Sequence, residues 1–142
     1  MSVKAILDEK GRNVLTIGPQ ATVRDAAKML HDNRVGALIV VDRADHIAGI
    51  LAERDIVSGI ARFGAECLEK PVASIMWPNV YRVREETTIG ELMSLMSSKR
   101  ARHVPVESNG HIAGIVSIGD VVKAHIRAIE REAEEIKAYI AG

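Results

Sequence analysis

Apolar residues recur with helical spacing in two separate stretches of the chain. In the first stretch they occupy positions i, i+3, i+4 and i+7 counted from Val23, and in the second the same positions counted from Ile89. Such spacing places the apolar side chains on one face of a helix. Thr22 and Thr88 stand immediately before these stretches, and threonine is a favoured N-cap residue. The pattern therefore predicts two amphipathic helices, each beginning directly after its threonine.

Two short apolar runs, separated by a polar turn, follow each predicted helix. Such a pair of runs is typical of a β-hairpin. A further helix is expected after each hairpin, and a short apolar segment ahead of each unit can add a strand. The sequence thus predicts a β-α-β-β-α unit that occurs twice, with strands at 14–17, 37–41 and 47–51 in the first unit and at 80–83, 104–106 and 112–116 in the second.

The two units are also copies of each other in sequence. The five residues HIAGI occur at 46–50 and again at 111–115, and the similarity extends over 22–57 and 88–122. One repeat of about 60 residues cannot bury both faces of its small sheet, so we expect two repeats packed about a pseudo-twofold axis in an α+β fold. We place the first repeat at 1–62, a linker at 63–71 and the second repeat at 72–126.

The C-terminal part of the chain, residues 127–142, has no counterpart in the first repeat. From Val122 to Ile140 the apolar residues are spaced by 4, 3, 4, 3 and 4 positions, which is the heptad pattern of a coiled coil. The pattern covers only about two and a half heptads, fewer than a free-standing coiled coil needs. This amphipathic helical extension therefore either folds back on the protein or packs against another subunit.

Composition narrows the class of protein. Nineteen Lys and Arg balance 19 Asp and Glu, so the basic excess that polyanion binding requires is missing. The apolar runs are too short to span a bilayer, and the first residues lack the layout of a signal peptide. The single cysteine, Cys67, cannot form an internal disulfide, which agrees with a reducing compartment. We therefore expect a cytoplasmic protein that binds neither nucleic acid nor a membrane.

The segment GIVSIGD, residues 114–120, combines groups suited to a ribose. A strand is predicted to end and a helix to begin there, which leaves backbone N–H groups and the positive end of the helix dipole available. Gly114 permits close approach, Ser117 offers a hydroxyl, and Asp120 offers two acceptor oxygens that match vicinal hydroxyls. The same S-x-x-D spacing also forms a capping box, in which both side chains only satisfy N–H groups of the helix. Both interpretations are open at the level of sequence.

The first copy of this segment, GILAERD at residues 49–55, has Ala52 in place of the serine but keeps the acid, Asp55. An acid without its hydroxyl partner suggests a role for Asp55 beyond capping. Arg54 lies beside it at a helix start, where a basic residue opposes the dipole and favours an anionic partner. That partner is either a phosphate or a neighbouring acid.

Motifs for catalysis and for metal binding are missing from the sequence. It contains no phosphate-binding G-x-x-x-x-G-K loop, no G-x-G-x-x-G motif, and no nucleophile with partners at a plausible spacing. His46 and His111 occupy equivalent turns, but neither has Cys or acidic ligands at a zinc-like spacing. We therefore expect neither an enzyme nor a metalloprotein.

The segments NRVGALIVVD and HIAGILAERDIV, followed by KRARHVPVESNGHIAGIVSIGDVV, resemble a tandem pair of cystathionine-β-synthase (CBS) domains, often called a Bateman module. The resemblance extends from Ile6 to about Ile126. It implies a regulatory module that binds an adenosine-containing ligand, such as AMP, ATP, NAD(H) or S-adenosylmethionine, in clefts between the repeats. Of these we favour AMP, with the response acting on an effector protein that the sequence does not identify. The resemblance also implies a homodimer, because family modules commonly pair into discs. The alternative is a structural dimerisation or adaptor protein without a physiological small-molecule ligand.

The resemblance also implies which residues hold the ribose. In the family a glycine, a serine or threonine, and an aspartate at this spacing bind it, which assigns the role to Gly114, Ser117 and Asp120. Ala52 departs from the family pattern, so Asp55 belongs to the weaker of the two sites.

Other contacts follow from the resemblance. Arg102 and His103 would lie beside the cleft and meet phosphate or adenine, or else they form a solvated strand end. Val80 and Ala101 are expected beside the adenine, which family members hold mainly with backbone and apolar groups. Arg54 is the last candidate ligand-binding residue and would contact a phosphate at the weaker site, that of the first repeat.

Overall fold

Helices and strands follow each other in the order that the repeats predict, with one additional helix near the N-terminus. The computed structural model describes residues 1–141, so Gly142 of the predicted extension lies outside the described residues. The helices are α1 (Val3–Lys10), α2 (Val23–Asn33), α3 (Glu53–Phe63), α4 (Ile89–Lys99) and α5 (Ile118–Ala141). The strands are β1 (Thr16–Ile17), β2 (Ala37–Val41), β3 (Ile47–Ala52), β4 (His103–Ser108) and β5 (His111–Ser117). This mixture of helices and strands, with a C-terminal helix, confirms the α+β class.

The two helices predicted from apolar spacing begin where their threonines indicated. Thr22 Oγ1 accepts a hydrogen bond from the backbone N–H of residue 25 at 3.1 Å, and Thr88 Oγ1 accepts one from that of Glu91, also at 3.1 Å. Both helices end at an arginine in the left-handed region, Arg34 and Arg100, each with φ of 53°. The predicted N-caps are confirmed, and α2 and α4 match each other at both ends.

Each repeat has a small sheet with a hairpin. In the first repeat β1 pairs parallel to β2, and β2 pairs antiparallel to β3, while β4 and β5 form the sheet of the second repeat. The strand predicted at 80–83 does not form, since only Val83 makes a parallel bridge, to Val106. The chain just before it is paired elsewhere, because the backbones of Ile50 and Trp77 exchange two hydrogen bonds of 2.9 Å.

The chain folds into two compact units, each of which combines separate stretches of the sequence. The first-repeat unit comprises 13–81 and 109–112, and the second-repeat unit comprises 1–12, 82–108 and the residues from 113 onwards. Residues 1–12, which we predicted with the first repeat, thus pack with the second. The physical reason is α1, whose Val3 and Leu7 are fully buried in the core of the second-repeat unit.

Residues 63–81 belong to the first-repeat unit. The predicted linker is largely a 3-10 helix, Gly64–Glu69, that buries Cys67 completely in the core of this unit. Val72, which we predicted to open the second repeat, is also fully buried there, and its N–H donates to the carbonyl of Ala21 at 2.7 Å. The segment between the repeats is therefore part of a core.

Helix α5 runs without interruption from Ile118 to Ala141, across the predicted boundary at 126. Val121 and Ala124 are buried in the second-repeat unit, whereas the heptad stripe is exposed, with Ile129 and Ile136 both 54% accessible. The extension does not fold back within the described residues. None of the helices between residues 1 and 141 is long and apolar enough to cross a membrane.

Candidate functional site

The predicted site of the second repeat lies where β5 ends at Ser117 and α5 begins. Ser117 Oγ accepts a hydrogen bond from the backbone N–H of Asp120 at 3.2 Å, and Asp120 Oδ2 accepts one from the backbone N–H of Ser117 at 2.8 Å. These reciprocal bonds are a capping box, so the predicted capping bonds are confirmed. The serine hydroxyl can still donate, and a carboxylate can accept further hydrogen bonds.

A lysine from α1 contacts the same carboxylate. Lys10 Nζ lies 2.7 Å from Asp120 Oδ2 and donates to the carbonyl oxygen of Ile115 at 2.8 Å. Burial acts to raise the pKa of Asp120, but the hydrogen bonds from Lys10 and Ser117 outweigh it and hold the pKa below its ordinary value. Asp120 is therefore an anion at neutral pH that is already paired with a cation.

The space next to Gly114 is also filled by α1. A Cβ atom at Gly114 would lie only 2.7 Å from Leu7 Cδ2, and Leu7 is fully buried. The Leu7 side chain thus occupies, on this face of Gly114, the space that we predicted for a ligand. The corresponding glycine of the first repeat, Gly49, is equally crowded, because its Cβ would lie 2.6 Å from Met76 Sδ and 2.9 Å from the carbonyl oxygen of Trp77. In both repeats this glycine allows close packing within the unit.

Sequence reasoning missed Lys10 and Leu7. The spacing of Val3, Ile6 and Leu7 is the i, i+3, i+4 pattern of a helix, so α1 itself was detectable. Nothing in the sequence indicates that Lys10 reaches a carboxylate 110 positions later.

The first repeat's site retains half of this arrangement. Asp55 Oδ2 accepts a hydrogen bond from the backbone N–H of Ala52 at 2.8 Å. Asp55 therefore caps α3 although Ala52 has no hydroxyl, so the missing serine is not by itself a sign of a further role, and ligand binding by Asp55 stays a prediction. Arg54 is exposed at the start of the same helix.

The remaining predicted residues lie in both compact units. The carbonyl oxygen of Arg102 accepts a hydrogen bond from the N–H of Ile118 at 2.8 Å, which brings the Arg102 backbone to the first turn of α5. His103 follows as the first residue of β4, and Ala101 packs, half-buried, against the second-repeat core. Val80 belongs to the first-repeat unit. The structure thus brings Arg102, Ser117 and Asp120 together at the start of α5.

No group of three or more His, Cys, Asp or Glu side chains is arranged to hold a metal ion among residues 1–141. The acids described above are engaged in capping bonds and ion pairs. Ser117 and Asp120 carry a hydroxyl and a carboxylate, which can hydrogen-bond to a polar ligand.

Comparisons with known proteins match both repeats. A family model described as the CBS domain matches residues 3–62 and again 72–127. The CBS domain-containing protein CBSX3, mitochondrial, of Arabidopsis thaliana is 34% identical over 149 residues, which cover 99% of this chain and 72% of that protein.

Solved structures share the fold along most of their length. The CBS-domain containing protein ATU1752 from Agrobacterium tumefaciens has a TM-score of 0.86 and 46% identity, over 88% of this chain and 99% of that one. The CBS domain pair of protein MJ0100, in complex with 5′-methylthioadenosine and S-adenosyl-L-methionine, has a TM-score of 0.79 and 25% identity, over 88% and 95% of the two chains.

Proposed function

Because this chain belongs to the CBS domain family, we propose that it is a regulatory, non-catalytic module whose second repeat binds an adenosine-containing ligand. The observation that carries the proposal is the MJ0100 domain pair, a structural neighbour that holds two such ligands. AMP is the ligand we favour, and ATP and NAD(H) are alternatives. The ligand would act by changing the affinity of this protein for an effector protein.

The contacts at the start of α5 support this assignment. Asp120 Oδ2 is engaged, but its carboxylate retains acceptor capacity for a ribose hydroxyl, and the Ser117 hydroxyl retains a proton to donate. The first turn of α5 also presents the positive end of a helix dipole, which favours an anionic group. Arg102, whose backbone lies at this turn, and His103 are proposed to meet phosphate or adenine. Ala101 and Val80 are proposed to contact the adenine.

A thermal-shift screen with AMP, ADP, ATP, NAD⁺, NADH and S-adenosylmethionine tests the proposal. A ligand at about 100 times its dissociation constant adds about 2.7 kcal/mol to the free energy of unfolding and raises the melting temperature by several degrees. Asp120→Ala should abolish this ligand-dependent shift.

Glu91→Ala is the matched control, because Glu91 occupies the same third helical position of α4 and exchanges hydrogen bonds with Thr88 at 3.1 Å. This variant should lose stability yet keep the ligand shift. If no ligand shifts the wild-type protein, the nucleotide-binding proposal fails. If Asp120→Ala and Glu91→Ala retain the same ligand shift, Asp120 is a cap and the site assignment fails.

A second role, homodimerisation, is favoured by the exposed stripe on α5. Six residues with heptad spacing share this face and are exposed or small: Val122, Ile126, Ile129, Ala133, Ile136 and Ile140. We propose that the stripe pairs with the same stripe of a second copy. If no ligand binds, this dimerisation, with or without an adaptor function, becomes the leading alternative.

Charges beside the stripe favour a parallel pair of helices. In a parallel, in-register pair Glu132 lies near Lys137 of the partner subunit, and the attraction occurs twice by symmetry. A fully overlapping antiparallel pair would instead place Glu130 opposite the partner subunit's Glu130 and Lys123 opposite the partner subunit's Lys137. Like charges at these positions are unfavourable, so orientation is chosen by the flanking residues.

Sedimentation equilibrium tests the dimer and its orientation together. Glu132→Lys should raise the dimer dissociation constant about fivefold, and adding Lys137→Glu should restore it, because two surface ion pairs of this kind contribute about 1 kcal/mol in total. Glu134→Lys, on the side away from the stripe, should change little. A protein that stays monomeric at high concentration would contradict the dimer, and a double variant no tighter than the single one would contradict the parallel orientation.

A further inference from the structure

Lys10 connects the N-terminal helix to the predicted ribose-binding carboxylate. It is the last residue of α1, and its Nζ makes the 2.7 Å contact with Asp120 Oδ2 and the 2.8 Å bond to the carbonyl of Ile115. The two side chains are 32% and 19% accessible, so the pair is shielded but not sealed from solvent. A ligand that reaches Asp120 therefore meets the ammonium group as well.

The two repeats differ in the charge that they present at this position. In the second repeat the charges of Lys10 and Asp120 cancel. In the first repeat Asp55 has no lysine or arginine within ion-pair distance in the part of the chain that the structure describes. An unpaired carboxylate repels a phosphate, whereas a neutralised pair does not.

The ammonium group also retains a donor. A lysine carries three N–H groups, and two are used by Asp120 and Ile115. The third can donate to a ligand oxygen. Lys10 thus neutralises the negative charge of the Asp120 carboxylate and has one N–H group left to donate to a ligand.

We propose that Lys10 determines ligand specificity at the second repeat, where it favours a phosphorylated adenosine over the uncharged nucleoside. This inference rests on the proposed function, since it concerns the charge of the ligand at the same site. Lys10 acts on specificity by neutralising the negative charge of Asp120. Its removal should therefore weaken the binding of a charged ligand more than that of a neutral one.

Isothermal titration with AMP and with adenosine tests the inference. The wild-type protein should bind AMP more tightly than adenosine, and Lys10→Met should reduce this preference about five- to tenfold, as expected for one charge a few ångströms from the ligand. Methionine keeps the length and apolar stem of the side chain. Because the readout is the ratio of two affinities measured on one variant, any loss of folded protein cancels.

Two further variants make the result specific. Lys10→Arg restores the charge and should restore the preference. Lys4→Met is the matched control, because Lys4 lies on the same helix and forms a 2.7 Å pair with Asp8 instead of Asp120. Its preference should equal that of the wild type.

The outcomes separate the two proposals. If neither AMP nor adenosine binds the wild-type protein, the proposed function and this inference both fail. If both ligands bind and Lys10→Met leaves the ratio of affinities unchanged, the site assignment stands and the role of Lys10 is refuted. An equal loss of preference in Lys4→Met would also refute it, since the effect would then come from overall charge.

Discussion

Replacing Asp120 with alanine should destabilise the protein without ligand more than replacing its counterpart in the first repeat. Asp120 caps α5 through the N–H of Ser117 and also pairs with Lys10, whereas Asp55 only caps α3 through the N–H of Ala52. The loss of a capping side chain costs about 1 kcal/mol, and a partly exposed ion pair contributes about 0.2 to 1 kcal/mol. We therefore expect a loss of about 1.2 to 2 kcal/mol for Asp120→Ala and about 1 kcal/mol for Asp55→Ala.

Urea denaturation gives these free energies, and a double-mutant cycle isolates the ion pair. Lys10→Met should cost less in the Asp120→Ala background than in the wild type, by the energy of the pair. The effect should also depend on pH. The pKa of Asp120 is lowered in the folded protein, so its contribution is complete above the unfolded value of about 3.9 and declines as the pH falls through the folded value.

Two results would refute this reasoning. Equal losses for Asp120→Ala and Asp55→Ala, with no coupling to Lys10, would mean that the ion pair contributes nothing to the stability. A difference between wild type and Asp120→Ala that stays constant from neutral pH to pH of about 2 would mean that the charge of Asp120 does not matter.

Three further predictions concern packing and helix caps. Gly114→Ala should lower the free energy of unfolding, measured by thermal denaturation, by about 1 to 3 kcal/mol, because the added Cβ would lie 2.7 Å from Leu7 Cδ2. Part of that loss should disappear when Leu7→Ala is added. Strictly additive losses for the two substitutions would contradict the contact. Cys67 is fully buried, so a thiol reagent should modify it slowly in the native protein and rapidly in denaturant, and equal rates would show that the segment 64–69 opens readily. Thr22→Ala should cost about 1 kcal/mol in urea denaturation, and Thr88→Ala somewhat more, because both threonines accept a capping hydrogen bond of 3.1 Å but Thr88 also donates one of 3.1 Å to Glu91 Oε1; a larger loss for Thr22→Ala would contradict this account.

Local signals in the sequence were sufficient for the elements that are stabilised locally. Apolar spacing and a threonine cap identify α2 and α4, because both signals depend on residues within one or two helical turns. The same logic applies to the capping box at Ser117 and Asp120. Its alternative role in binding ribose stays a prediction, since the bonds within the box do not test it.

Elements that depend on distant partners were not predictable in this way. The segment 80–83 has the apolar pattern of a strand, but Val83 is the residue of this segment for which the structure describes a β-bridge, to the distant Val106. The membership of α1 in the second-repeat unit likewise depends on residues more than 70 positions away, such as the carbonyls of Glu85 and Thr87 that accept from its first turn. Periodicity identifies which face of a helix is apolar, but it does not indicate which core will cover that face.

The assembly of the second-repeat unit from both ends of the sequence sets an order of events during synthesis. Residues 13–81 supply nearly all of the first-repeat unit, so it can fold while later residues are still being made. Helix α1 is made earlier, yet its apolar face stays uncovered until Leu92, Val104 and Val116 have been synthesised. A ribosome that stalls between the repeats would therefore carry one folded unit and one uncovered apolar N-terminal segment, too short to be a stable helix by itself, which is the kind of nascent chain that chaperones bind.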